Sequence, residues 1–181
     1  MDELHIRKVC DGDKEAFRYF IKTYKDMAFS VAICVIKDEF AAQEIVQDAF
    51  VKAFQNLGSF SKKSSFKTWF YRIVTNEALM RLKKSKKEII DFVGDHDGDV
   101  VDEARILSLK EDEQAFLINE ALQKLPPKES LALRLFYLEE ESIKEVCGIT
   151  GWSEANTKII LHRARKNMFL VLTQLLKTHS L

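Results

Sequence analysis

Very little in this 181-residue chain interrupts a helix. Proline occurs only twice, side by side at Pro126-Pro127, and there are six glycines. No segment alternates convincingly with period two, so strands are not expected. The longest apolar stretch, Met27 to Ile36, is too short to span a bilayer and is interrupted by Ser30. The N-terminus, MDELHIRKVC, lacks the apolar run of a signal peptide, and a cytoplasmic location is expected. The three cysteines, Cys10, Cys34 and Cys147, are far apart, odd in number and in no metal-ligand spacing. They are expected to be free buried thiols in a reducing compartment. No glycine-rich phosphate loop or nucleophile motif is present, and His5, His96, His162 and His179 are scattered. Neither catalysis, nor a cofactor or metal, nor a small-molecule substrate is expected. The formal net charge is zero, which removes global basicity as a pointer to nucleic acid.

What the chain does have is a strong pattern near its end. In Leu138 to Asn167, Ser142 opens a short helix whose Ile143, Val146 and Cys147 fall at i, i+3 and i+4. Gly148-Ile149-Thr150-Gly151 breaks that pattern as a turn. Ser153 is a good N-cap for a second helix, with Glu154 in its first turn. There Thr157, Ile160, Leu161, Ala164 and Met168 line one face, and Lys158, His162, Arg163 and Lys166 another. A short helix, a glycine turn and a helix that is apolar inward and cationic outward describe a helix-turn-helix, with a second helix of the shape a DNA major groove accepts.

The rest also reads as helix. Asp11-Gly12-Asp13 is a turn whose Asp13 caps a helix carrying Ala16, Phe17, Phe20, Ile21 and Tyr24, followed by the apolar set from Met27 to Ile36. A third helix is predicted from about Glu39 to Leu57, and a fourth from about Phe66 to Lys84. Gly58 to Ser65 is a loop by composition. A later unit carries Phe116, Leu117, Ala121, Leu122 and Leu125, stops at Pro126-Pro127, and resumes with Leu131, Leu133, Leu135, Phe136 and Leu138 as core.

Charge is segregated along the chain. Between Ser61 and Lys87 stand Lys62, Lys63, Lys67, Arg72, Arg81, Lys83, Lys84, Lys86 and Lys87 against the single acid Glu77, interleaved with Phe66, Trp69, Phe70 and Tyr71 and preceded by Phe60. Cations neutralise phosphates and aromatic faces accept unstacked bases, so this stretch suits single-stranded or opened DNA. The plainer alternative makes Phe66, Trp69, Phe70 and Ile73 core and the lysines a solvated face. Trp69 and Phe70 are expected in the core, the lysines on nucleic acid. The sign then flips: Glu88 to Glu113 holds ten acids against Arg105 and Lys110, with Gly94 and Gly98 breaking any helix. This reads as a flexible acidic linker. The expected architecture is all-α: an N-terminal helical domain over 1–87, a linker over 88–113 and a C-terminal helix-turn-helix domain over 114–181.

Taken in order, these segments resemble the extracytoplasmic-function sigma factors of bacterial RNA polymerase. The resemblance is carried by Gly12-Asp13 with Ala16-Phe17, by Glu44 to Phe54, by Phe66 to Asn76, by Leu125-Pro126 and Tyr137-Leu138, and by Leu161 to Lys166. It covers nearly the whole chain. It implies a dissociable subunit that binds core polymerase, through a coiled coil of the largest subunit and the flap, and directs promoter-specific initiation. Glu44, Gln47, Asp48 and Lys52 would form the docking stripe. Asn56, Phe60, Ser61, Lys62, Lys63 and Ser64 would contact a flipped base of the minus-ten element. Lys67, Arg72, Asn76, Arg81, Lys83 and Lys84 would hold strand and phosphates. At the minus-thirty-five element, Lys158, Ile159, His162 and Arg163 map to groove-facing positions, Ser153, Glu154 and Asn156 lie near a phosphate, and Lys166 extends the cationic face. Thr157 departs from the family by placing a hydroxyl at a usually apolar position, where it can bond back to a helix carbonyl. Ile159 and Ile160 remove polar reach. The linker would thread towards the RNA exit channel, and an anti-sigma factor is an expected partner. The alternative is a stand-alone helix-turn-helix regulator, which leaves the basic front segment and the acidic linker without a purpose.

Overall fold

The structure is a computed structural model that describes residues 1–85 and 110–178. These residues form eight helices: α1 (Asp2–Cys10), α2 (Arg18–Ile36), α3 (Glu39–Asn56), α4 (Phe66–Lys84), α5 (Glu111–Lys124), α6 (Pro127–Leu133), α7 (Ile143–Thr150) and α8 (Glu154–Thr178). Tight turns at Lys14–Phe17 and Leu57–Ser59 join the front helices. Among the described residues there is no strand, and no helix is long and apolar enough to cross a membrane.

Side-chain caps open four of the eight helices. Asp38 accepts from Ala41 N at 2.9 Å to open α3, and Ser65 from Thr68 N at 3.0 Å to open α4. Ser142 and Glu145 form a reciprocal pair at the start of α7: Glu145 N donates to Ser142 Oγ at 3.3 Å, and Ser142 N to Glu145 Oε2 at 2.8 Å. The hydrogen bonds from Ser142 hold the Glu145 carboxyl below its ordinary range. Pro127 begins α6, where its missing N–H costs nothing.

The front core is aromatic. Phe20 and Phe66 lie 4.2 Å apart between ring centres, Phe50 and Phe70 4.5 Å, and Phe20 and Phe70 are wholly buried. Each such side chain contributes about 1.5–3 kcal/mol of burial, which is what fixes α2, α3 and α4 against one another. A helix that periodicity missed, α1, is tied on by polar bonds: Asp2 accepts from Tyr19 at 2.9 Å and from Tyr24 at 2.7 Å, and His5 stacks on Tyr19. The rear core gathers Leu117, Ala121, Leu122, Ala132, Ile160, Leu161, Ala164, Val171 and Leu175 from α5, α6 and α8.

The two halves are not held apart. Leu131, Leu135, Val146 and Ile149 of the rear half join the front core, while Cys34 of α2 joins the rear one. Lys37, in a left-handed conformation just past α2 (φ 56), donates its Nζ to the Leu122 carbonyl near the end of α5 at 2.5 Å. An ammonium there satisfies a helix-end acceptor, and burial lowers its pKa from 10.5 to about 8.

Several expectations change. Gly148 does not break the helix; α7 runs on to Thr150, and Gly151 alone supplies the turn, at φ 76. Cys10 is exposed and Cys147 half-buried, leaving only Cys34 as a buried thiol. Phe116 and Leu138, placed in the core by periodicity, are 63% and 42% exposed. Residues 88–109 of the expected linker lie outside the described residues, but Glu111, Asp112 and Glu113 form the first turn of α5. There Lys110 N donates to Glu113 Oε2 at 3.0 Å, and three acids face the positive end of the helix.

Candidate nucleic-acid and polymerase interfaces

The outer face of α3 carries Glu44, Gln47, Asp48 and Lys52 as a polar stripe. Gln47 and Asp48 are exposed. Glu44 is ion-paired with Arg81 of α4, and Lys52 donates to Glu77 of α4 at 2.5 Å. The stripe is therefore cross-linked to α4, and a groove lined by Ile45, Asp48, Glu77, Met80, Arg81 and Lys84 runs between the two helices.

The loop before α4 is packed at its apolar end and exposed at its basic end. Phe60 packs on Trp69 with ring centres 5.0 Å apart and is half-buried, so it anchors the loop. Ser61, Lys62, Lys63 and Ser64 are exposed, with Lys62 held at φ 56. Asn56 folds back to donate to the Lys52 carbonyl at 2.8 Å. On α4, Phe70 is buried and Trp69 partly so, leaving the outer face to Arg72, Asn76, Lys83 and Lys84, all exposed. Arg72, Asn76 and Lys83 fall at i, i+4 and i+11, one stripe of a helix.

Lys67 does not join that stripe. Its Nζ lies 2.9 Å from Glu141 Oε1, donates to the Glu139 carbonyl at 2.8 Å, and sits 5.5 Å from the centre of the Tyr71 ring. Tyr71 is wholly buried and donates its hydroxyl to Glu139 Oε2 at 2.6 Å. Burial first, and then that bond to a carboxylate, push the phenol far above its ordinary value of 10. Nothing in the sequence singles out Glu139 and Glu141 from their charged neighbours, since only the packing of α7 on α4 buries them.

The helix-turn-helix is formed by α7 and α8. Ser153 caps α8 through Asn156 N at 3.2 Å. Thr157 is buried, and its hydroxyl donates to the Ser153 carbonyl at 3.0 Å, the back-bond its position suggested. Lys158, Ile159, His162, Arg163 and Lys166 are exposed along one side of α8, with Ser153, Glu154 and Asn156 at its start. Lys158 pairs with Glu154 at 2.6 Å, and the hydrogen bond with coulombic attraction lowers the glutamate and raises the lysine from their ordinary values. Arg163 has an unanticipated partner. Its Nε donates to Glu129 Oε1 at 2.7 Å, while Asn167 donates to the other oxygen, also at 2.7 Å. Glu129 is 2% exposed, yet the Arg163 side chain is 58% exposed, so its outer nitrogens still face the surface.

Among the described residues no cluster of histidine, cysteine and carboxylates is placed to hold a metal ion. The geometry offers two basic helix faces, α4 and α8, and a polar stripe on α3.

Comparison with known proteins matches two family models to the chain. The family described as Sigma-70 region 2 matches residues 20–88, and Sigma-70, region 4 matches residues 115–168. The ECF RNA polymerase sigma factor SigW of Bacillus subtilis is 30% identical over 179 residues, covering 92% of this chain and 94% of that protein. The RNA polymerase sigma-H factor of Pseudomonas aeruginosa is 27% identical, covering 97% and 96%. Two solved folds are similar. CnrH, in complex with the cytosolic domain of CnrY, has a TM-score of 0.64 at 21% identity over 98% of this chain and 97% of that one. RpoE from Bartonella quintana, in complex with the anti-sigma factor NepR, has a TM-score of 0.65 at 24% identity over 86% and 96%.

Proposed function

The chain belongs to the extracytoplasmic-function sigma factors of RNA polymerase, and from that premise we propose how its surfaces divide the work. It binds core RNA polymerase and promoter DNA and directs promoter-specific initiation; it is an initiation factor and not an enzyme.

The front half, 1–87, docks on polymerase and opens the minus-ten element. The exposed part of the α3 stripe, Gln47 and Asp48 with Glu44 beside them, meets the coiled coil of the largest subunit. Cross-links to α4 by Arg81–Glu44 and Lys52–Glu77 give that surface a fixed shape, which limits the side-chain ordering cost of docking. The loop residues Ser61, Lys62, Lys63 and Ser64 border a flipped base, and Arg72, Asn76, Lys83 and Lys84 hold the strand. Extruding a base costs a few kcal/mol, which phosphate neutralisation by those cations offsets. The observation that carries this assignment is the exposed basic stripe of α4, unbalanced by acids on its own face.

The rear half, 114–181, grips the minus-thirty-five element as duplex. Lys158, Ile159, His162, Arg163 and Lys166 face the groove and flanking phosphates, with Ser153, Glu154 and Asn156 at the helix start. Ile159, 63% exposed, is suited to a thymine methyl. The acidic linker threads through the polymerase, the flap receives the rear half, and the protein works in the cytoplasm where its polymerase is. Solved complexes of CnrH and RpoE with partner proteins support an anti-sigma factor for this chain too.

Gel filtration with purified core polymerase tests the docking. The chain is expected to co-elute without DNA, and Asp48→Arg to weaken that association. A chain that ignores core enzyme and binds duplex alone, as a dimer, would instead be a stand-alone regulator.

A further inference from the structure

The cations of α8 differ in how they are held. Lys158 pairs with Glu154, and both side chains are more than half exposed. Arg165 donates to the hydroxyl of Tyr137, itself 49% exposed, at 3.1 Å. Such surface contacts exchange readily with water and fix a side chain only loosely. Arg163 is tied instead to a group almost wholly out of water: Glu129, in the first turn of α6, is 2% exposed. Its Oε1 accepts from Arg163 Nε and its Oε2 from Asn167 Nδ2, both at 2.7 Å. A buried carboxylate accepts and cannot donate, so it requires both donors and holds them tightly. Asn167 is itself 5% exposed and lies one turn on from Arg163 along α8. The guanidinium is planar. With its stem fixed at the helix and Nε–H fixed on Glu129, the direction of Nη1 and Nη2 is set before DNA arrives. Among the described residues those two nitrogens make no hydrogen bond within the chain.

We infer that Glu129 is a positioning residue for the minus-thirty-five readout, acting through Arg163 without touching DNA. A guanidinium held by Nε presents its two terminal nitrogens as a fork, the shape that the O6 and N7 acceptors of guanine take in the major groove. Because the fork is aimed in the free protein, Arg163 gives up less rotamer freedom on reaching a base. Released from Glu129, the same arginine can swing to the nearest phosphate, where it keeps its attraction for DNA and loses its choice of base. The positioning role rests on the reading that places Arg163 in the groove, and the experiment separates the two.

Polymerase holoenzyme formed with the full chain is used to select a duplex from a pool randomised across the minus-thirty-five region. Its affinity for that duplex is then compared with its affinity for every single base-pair substitution. Arg163→Ala is expected to lose discrimination at one G·C pair. Glu129→Leu should lose about fivefold at that same pair, the net worth of one hydrogen bond, with discrimination elsewhere and the salt slope unchanged. Replacing that guanine by 7-deazaguanine, which lacks the N7 acceptor, should cost wild type more than Glu129→Leu. Glu129→Gln keeps an acceptor for Nε and should restore the wild-type pattern to within about twofold. Asn167→Ala takes the other donor from the same carboxylate and should lower Tm with the pattern intact. If Glu129→Leu loses its helical circular dichroism, Glu129→Asp, which keeps the charge and shortens the reach, carries the same test. Discrimination that survives in Glu129→Leu, or a loss spread evenly over all positions, with Arg163→Ala still blind at one pair, overturns the positioning role and leaves Arg163 in the groove. An Arg163→Ala holoenzyme that discriminates as wild type does overturns the groove contact, and the positioning role with it.

Discussion

Arg163→Ala removes two things at once, and the structure sizes both. On the inside it takes the Nε donor from Glu129, a carboxylate 2% exposed that is then left with Asn167 alone. Breaking a fully buried pair costs about 3–5 kcal/mol. Arg163 is 58% exposed, however, and water can reach the vacated oxygen, so about 1–2 kcal/mol is expected. For a chain of this size that is a fall in Tm of about 3–6 °C. On the outside, with Nε committed, the groove contact proposed for Arg163 would be made through its two terminal nitrogens. If it is bidentate to guanine, its loss is expected to cost about 1–3 kcal/mol of promoter discrimination. Glu129→Gln separates the effects. Its amide oxygen still accepts from Nε, so Arg163 keeps its place, and promoter affinity should hold while Tm shifts by less than about 1 kcal/mol would give. Differential scanning calorimetry reads the first effect, and affinity of the polymerase holoenzyme for base-substituted minus-thirty-five elements reads the second. An Arg163→Ala protein that melts normally refutes the structural pair. One that discriminates the same bases as wild type refutes the groove contact.

Three other predictions follow from single features. Thr75 of α4 is wholly buried and its hydroxyl has no hydrogen-bond partner among the described residues, so Thr75→Val should gain about 1 kcal/mol and raise Tm by about 2–4 °C; a fall in Tm would show a hidden partner. Lys37 has a pKa of about 8 in the folded chain and 10.5 when exposed, so the unfolded chain binds more protons between those values and stability rises as pH increases through that window. Above pH 10 the trend reverses, because Tyr71 and Tyr24 stay protonated in the fold while exposed tyrosines ionise. Lys37→Asn, which tolerates the left-handed backbone, should flatten the rise, worth at most ~3 kcal/mol, and a Tm that falls steadily from pH 8 contradicts it. Replacing Arg72 or Lys83 by Ala should each lower the slope of log affinity for single-stranded DNA against log salt by about 1; an unchanged slope removes that residue from the phosphate set.

Much of this molecule is legible from local sequence, and the exceptions share a cause. The bounds of α3 and α4 follow from Asp38 and Ser65 as caps, and those of α7 and α8 from Ser142 and Ser153, because capping is a contest among neighbours. Phe20, Phe66 and Phe70 declare themselves core by spacing. Gly148 misleads because its helical cost of about 1 kcal/mol is outweighed by burial of Val146 and Ile149 on either side. Lys67 reads as one of a run of exposed cations, and Glu139 and Glu141 as solvated acids. Their burial comes from α7 resting on α4, a long-range event that no window of sequence contains. Glu129 is hidden for the same reason: its partners, Arg163 and Asn167, lie 34 and 38 residues away.

In the function proposed, one end of the chain melts a duplex which the other end grips intact, both under the control of polymerase. Reconstituted run-off transcription on genomic fragments, with permanganate probing of unpaired thymines, tests it in a single experiment. Discrete start sites are expected, with reactive thymines at the upstream edge of the bubble, and loss of that reactivity in Arg72→Ala with Lys83→Ala while the minus-thirty-five region stays protected. Core enzyme that gains no start sites from the purified chain, or a bubble that opens equally well in the double variant, would contradict it.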